Sequence, residues 1–103
     1  MQFHHVGIPT SDKKDFDTYL DDAKLHITDA EKSPFKVEWL GFEAGSPMPE
    51  LLKTTPHVAF MVEDLNAEIE GKDILIEPFE PLPGLRCAFI IHDGAPIELM
   101  QKV

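Results

Sequence analysis

The chain has 103 residues, 43% of them hydrophobic, which is enough for one globular domain or for two small modules that share a core. Nineteen acidic residues against nine Lys and Arg give a net charge of -10, which disfavours binding to nucleic acid or to an anionic membrane. No apolar run is long enough to span a bilayer, no basic start precedes an apolar segment, and Cys87, as the one cysteine, cannot form an internal disulfide. These features predict a cytoplasmic protein.

The first half of the chain predicts a strand that leads directly into a helix. Residues 3–8 predict a strand, in which the branched Val6 and Ile8 alternate with His5 and Gly7. Capping residues at 10–12 then precede a predicted helix over residues 13–22, whose Phe16, Tyr19 and Leu20 have helical spacing. A short strand over 25–28, a longer strand over 35–43 and a connection over 50–55 with room for one helical turn complete this half.

The second half repeats that plan about fifty residues further along. A strand over residues 56–62 is followed by Asp64, a predicted N-cap, and by a helix that ends at Gly71. Three prolines predict a loop over 78–84, and Asp93-Gly94 is a favoured two-residue hairpin turn. Strands are predicted over 74–77, 85–92 and 95–101. The expected fold is therefore α+β, a single domain with two modules at about 1–50 and 55–103.

Four polar residues occupy equivalent positions in the two modules. Because side chains on a strand alternate between its faces, His5 and His57 point away from the branched residues beside them. Glu38 and Glu98 likewise point away from Val37/Trp39 and Ile97/Leu99, the side that we expect the helices to cover. The alternation thus predicts two histidines and two glutamates on the uncovered face of a curved sheet.

Such a set suits a divalent transition-metal ion. Two imidazoles and two carboxylates are ligands that such ions accept, and positions would remain open for water or substrate. Without a cation, burying two neighbouring carboxylates would cost several kcal/mol, or would force one of them to hold a proton. Glu50, just before the second module, is an alternative fourth ligand if the strand that carries Glu38 is misplaced.

Four stretches resemble the glyoxalase/bleomycin-resistance/extradiol-dioxygenase proteins, the vicinal oxygen chelate superfamily. They are "FHHVGIPTSD", "KVEWLGFEAGSPM", "PHVAFMVEDL" and "IELMQK", and the second is also similar to a strand and turn of methylmalonyl-CoA epimerases. The resemblance implies two βαβββ modules that form a cup of mixed sheet around a metal. It implies His5, Glu38, His57 and Glu98 as the ligands.

The resemblance also implies a range of activities. The first expectation is a metal-dependent lyase or isomerase that acts on a small oxygenated substrate by metal-assisted proton abstraction, with Glu98 or Glu38 as the base. The ion would be zinc, nickel, cobalt, manganese or iron. The alternatives are a metal-free module that binds or sequesters a small ligand, and an extradiol dioxygenase that uses two histidines and one glutamate around iron.

The first module departs from the pattern of the superfamily. His5 and Glu38 are 33 positions apart, whereas His57 and Glu98 are 41 apart, so the first module is shorter by about one strand. A shortened module leaves a sheet edge or a cleft wall incomplete, and a second subunit could cover it. We therefore expect a homodimer.

Overall fold

The computed structural model describes all 103 residues and has the expected mixed α+β composition, mostly strand. Two short helices and two 3₁₀ turns, at Asp21–Ala23 and Ala30–Lys32, accompany eight strands. The strands and helices in chain order are β1 (Gln2–Pro9), β2 (Thr18–Leu20), β3 (Leu25–Ile27), β4 (Val37–Phe42), α1 (Glu50–Thr54), β5 (His57–Met61), α2 (Leu65–Ile69), β6 (Asp73–Leu82), β7 (Leu85–His92) and β8 (Ala95–Lys102). Neither helix has the length and the hydrophobicity that a membrane span requires.

The chain divides into two compact units, and β1 contributes residues to both. The N-terminal unit is His5–Pro56, and the C-terminal unit combines Met1–His4 with His57–Val103. Within the C-terminal unit the element order is β5-α2-β6-β7-β8. The N-terminal unit has four strands and α1 but no α-helix between β1 and β4.

The C-terminal unit packs its helix against one face of its strands. Its strand order is β5-β8-β7-β6, with β5 parallel to β8 and β7 antiparallel to both of its neighbours. Leu65 of α2 is fully buried against Val62, Ala88, Ile90 and Leu99. The Asp64 side chain accepts a hydrogen bond from the backbone N–H of Ala67, which confirms the predicted N-cap. The residues at the predicted hairpin turn, Asp93 and Gly94, both have positive φ, as a two-residue turn of this kind requires.

The N-terminal unit has a small core of its own, formed by β3, β4 and the 3₁₀ turn at Asp21–Ala23. Its strand order is β2-β3-β4-β1, with β1 parallel to β4 and the other pairs antiparallel. Leu40 is buried with Ala23 and Leu25, and four partly buried side chains pack around them: Leu20, Ile27, Phe42 and Met48.

The predicted helix over residues 13–22 is wrong. Residues 13–17 have no regular structure, and Tyr19 lies in β2, where it pairs with His26 of β3. Tertiary contacts decide this segment: the Phe16 ring packs so closely on Gly41 that a Cβ at Gly41 would lie 2.7 Å from it. The Asp17 carboxylate also accepts the backbone N–H of Asp29. These contacts override a weak helical pattern of only three apolar residues.

Two further expectations need correction. Val37 and Trp39 do not lie under a helix. The core of this unit is on the opposite face of β4, because it includes Leu40, which shares a face with Glu38. The proline-rich segment predicted as a loop belongs to β6, which extends to Leu82. Register shifts in the pairing of β6 with β7 allow prolines at the outer strand of the unit, where a missing N–H costs little.

Candidate metal centre

The N-terminal unit brings His5 and Glu38 together on neighbouring parallel strands. His5 lies on β1 and is 1% exposed, and Glu38 lies on β4 with 18% of its side chain exposed. The register of the two strands places Gly7 beside Glu38, so the histidine is two residues before the position that pairs with the glutamate. Nε2 of His5 is 3.6 Å from Oε1 of Glu38.

The C-terminal unit brings His57 and Glu98 together in the same way. His57 on β5 is 2% exposed, and Glu98 on the parallel strand β8 is 8% exposed. Ala59 pairs with Glu98, so the histidine again precedes the paired position by two residues. Nε2 of His57 and Oε1 of Glu98 share a hydrogen bond of 3.1 Å. The ring of Phe89 meets the His57 ring edge-on, with centroids 5.0 Å apart.

The two pairs are therefore copies of one arrangement. In both, Nε2 of a buried histidine approaches Oε1 of a glutamate on the adjacent parallel strand, with the same offset in register. The residue directly beside each glutamate is small and buried, Gly7 in one unit and Ala59 in the other. A larger side chain there would occupy the space next to the carboxylate, because directly paired residues have Cβ atoms about 5 Å apart.

This arrangement suits cation binding. A buried carboxylate is unfavourable unless it is paired or hydrogen-bonded, and each unit supplies an imidazole as the first such partner. Imidazole nitrogen and carboxylate oxygen are also the ligands that zinc and related transition metals use in proteins. Of these residues, His5, Glu38 and His57 could hold a metal ion.

The alternative ligand Glu50 does not share these features. Glu50 is exposed at the first residue of α1, and its carboxylate lies 3.7 Å from the Lys53 ammonium on the next turn. The strand that carries Glu38 forms where the sequence predicted it, so the condition that would have favoured Glu50 is not met.

Sequence reasoning missed three residues that shape the two pairs. Gly7 and Ala59 each lie two positions after the histidine, and this repeated spacing was a readable signal for the small neighbour of each glutamate. Phe89 was not recognisable as a contact of His57, because that contact depends on how β7, β8 and β5 are ordered.

The comparisons leave the family unassigned, since the sequence matches no protein-family model and no curated protein.

Proposed function

We propose that His5, Glu38, His57 and Glu98 ligate one divalent metal ion, and that the chain is a lyase or isomerase that removes a proton next to a carbonyl group in a small oxygenated substrate. The observation that carries this proposal is the repeated pair: two buried histidines, each set against a glutamate in the same strand register. We include in this proposal the two modules that the sequence predicts, the first one shortened and without its helix.

The residues fit a metal ion by their chemistry. Two neutral imidazoles and two carboxylates would balance the charge of a dication and leave further positions open to a substrate oxygen. When bound, such an ion polarises a carbonyl group and stabilises the negative charge that develops when a neighbouring C–H bond is broken.

The two glutamates differ in ways that suggest different roles. The Glu98 side chain is 10% exposed and hydrogen-bonded to His57, so it is suited to a fixed ligand position. Glu38 is more exposed, at 18%, and its oxygen is 3.6 Å from His5. We therefore propose Glu38 as the first candidate for the base that receives the substrate proton, with Glu98 as the second. General acid–base catalysis of this kind typically contributes about 10²–10⁴ in rate.

Apolar side chains share the strand face of Glu98 and indicate part of the substrate. Phe89 pairs directly with Glu98, and Cys87 pairs with Met100 two residues further along. By strand alternation these three residues lie on the same face as the glutamate. We infer that the substrate carries a small apolar group next to its oxygen functions.

A metal-free binding module is the competing function, and one observation favours it. The hydrogen bond of 3.1 Å between His57 and Glu98 gives both side chains a partner without any ion. The apolar neighbours of Glu98 would then form the floor of a site for a small ligand.

Exchange of a substrate α-proton with deuterated solvent separates the two functions. The substrates to test are 2-oxoaldehyde thiol adducts and 2-methylacyl thioesters, with protein that has been stripped of metal and then reloaded. We expect exchange only in the reloaded protein. Glu38→Gln should retain metal and lose about 10²-fold or more of the exchange rate, because the amide cannot accept the proton.

Glu77→Gln is the matched control, since Glu77 is exposed on β6 and makes no ion pair. If reloaded protein exchanges no faster than stripped protein across both substrate classes, the proton-abstraction function fails and the binding module stands. If Glu98→Gln retains metal and abolishes exchange while Glu38→Gln does not, the roles of the two glutamates are reversed.

A further inference from the structure

Trp39 presents an aromatic face on the side of β4 opposite to Glu38. It is the only tryptophan of the chain and is half-buried. The Lys14 ammonium lies over its ring, 4.5 Å from the centroid. A cation within about 6 Å of an indole face is attracted by the negative potential of the ring, and indole is the strongest of the aromatic side chains in this respect. The protein itself thus shows that this face accepts an ammonium group.

The indole also lines a cleft of about 250 Å³ within the N-terminal unit. Val37 on the same strand contributes to its apolar wall, and three carboxylates, from Asp15, Asp17 and Asp29, contribute to its rim. A volume of this size accommodates a group of a few heavy atoms, such as a trimethylammonium or alkylammonium head.

The charges at the cleft leave room for one more cation. The Lys32 ammonium is paired with the Asp17 carboxylate, and this partner holds the pKa of Asp17 below its usual range. The Asp29 carboxylate is exposed and accepts a backbone N–H from Glu31. Asp15 is exposed and forms no ion pair. The Lys32 ammonium also interacts electrostatically with Asp15 and Asp29, so the three carboxylates at the cleft outnumber the one ammonium group that lines it.

We propose that the Trp39 cleft binds an organic ammonium group, which replaces the Lys14 ammonium on the indole face and is attracted by Asp15 and Asp29. The cleft lies on the face of β4 that points away from Glu38, so it is a second site and does not depend on the proposed metal centre. The net charge of -10 adds a general attraction for a cationic ligand.

Fluorescence of Trp39 gives a direct test, because no other tryptophan contributes to the signal. The full chain is titrated with choline at constant ionic strength, and in parallel with 3,3-dimethyl-1-butanol, the uncharged molecule of the same shape. We expect a saturable change with choline and none with the alcohol. A change that does not saturate, or an equal response to the alcohol, would overturn the proposal.

Two lysine variants test the role of Lys14. Lys14→Ala removes the internal competitor and should tighten choline binding about two- to fivefold, the range that corresponds to an exposed cation–π contact. Lys13→Ala removes the same charge from the adjacent exposed residue and should change the affinity less than Lys14→Ala does. If both variants tighten choline binding equally, the cause is the loss of one positive charge, and a site on the indole face is contradicted.

Two further arms test the carboxylate rim and the source of the ammonium group. Asp15→Asn should weaken choline binding. An unchanged affinity would show that the Asp15 carboxylate does not contribute to the site. Titration with Nα-acetyl-lysine methylamide distinguishes the sources: tighter binding than choline indicates a lysine side chain of a polypeptide, and weaker binding indicates a free quaternary ammonium compound.

Discussion

A single exposed carboxylate, Glu43, joins two aromatic side chains of the N-terminal unit, one on β2 and one on β3. Its Oε1 accepts the Tyr19 hydroxyl at 2.8 Å, and its Oε2 lies 3.2 Å from Nε2 of His26. The rings of Tyr19 and His26 are in contact at a tilt of 36°, with centroids 4.5 Å apart. The hydrogen bond from Tyr19, and then the one from His26, hold the pKa of Glu43 below its ordinary value.

The direction of this shift predicts how the stability of the protein depends on pH. A glutamate whose pKa is lower in the folded state stabilises the fold above its unfolded pKa and loses that contribution as the pH falls through the folded value. Glu43→Gln should therefore lower the melting temperature at pH 7, and the difference from wild type should shrink as the pH falls below about 4. Circular dichroism melts between pH 7 and pH 3 measure both effects. Glu77→Gln is the exposed control, and a pH-independent difference for Glu43→Gln would contradict the prediction.

The ligand residues of the proposed centre are predictable at the residue scale because they depend only on strand alternation. His57 and Glu98 each lie in a clear strand, and the period of two decides which face they share. Their partnership is a different matter, since it requires β5 and β8 to be adjacent, parallel and in one register. No local pattern encodes that register, and it was the repeat of the arrangement in two halves of the chain, together with the family resemblance, that suggested it.

At the scale of elements, the sequence predicted what short-range chemistry determines. The start of α2 is an example, because an Asp directly before an apolar helix start satisfies backbone N–H groups that have no partner within the helix. The segment before β2 is the opposite case. Phe16 and Tyr19 have helical spacing, but their partners, Gly41 and His26, lie on strands that are distant in sequence. Such long-range contacts are absent from a local reading.

The cap of α2 can be tested directly. Asp64→Ala removes the acceptor of the Ala67 N–H and should lower the free energy of unfolding by about 0.5–2 kcal/mol. Asp64→Asn should cost much less, because asparagine caps helices about as well as aspartate. Urea unfolding of both variants provides the measurement. An equal loss in the two would show that the charge of Asp64, and not its hydrogen bond, stabilises the helix.

At the scale of the whole molecule, the predicted homodimer remains a prediction that sedimentation can test. The outer strand of the C-terminal unit, β6, carries Pro78 and Pro81 and has irregular register with β7. Both features disfavour the addition of a further strand at that edge. We therefore expect the two subunits to associate through a surface other than β6. Sedimentation at micromolar concentration should then give a mass of about two chains of 11.6 kDa. A mass of one chain would remove the second subunit from the proposal.

Whether the two His–Glu pairs serve one ion or two is also a property of the whole molecule, and metal-dependent stability distinguishes the cases. A ligand at 100 times its dissociation constant stabilises the folded state by about 2.7 kcal/mol, which corresponds to a rise of roughly 10–20 °C in the melting temperature of a domain of this size. If one ion uses both pairs, His5→Ala and His57→Ala should each abolish most of that rise, and the double variant should lose little more.

Each variant is compared with its own metal-free melting temperature, so that the cost of removing a buried histidine cancels. His92→Ala, at an exposed histidine beside the Asp93-Gly94 turn, should retain the full rise. Two independent sites would behave differently: each single variant would keep the contribution of the other pair, and the losses would add in the double variant. Additive losses would therefore separate the proposed centre into two sites, even if metal binding itself were observed.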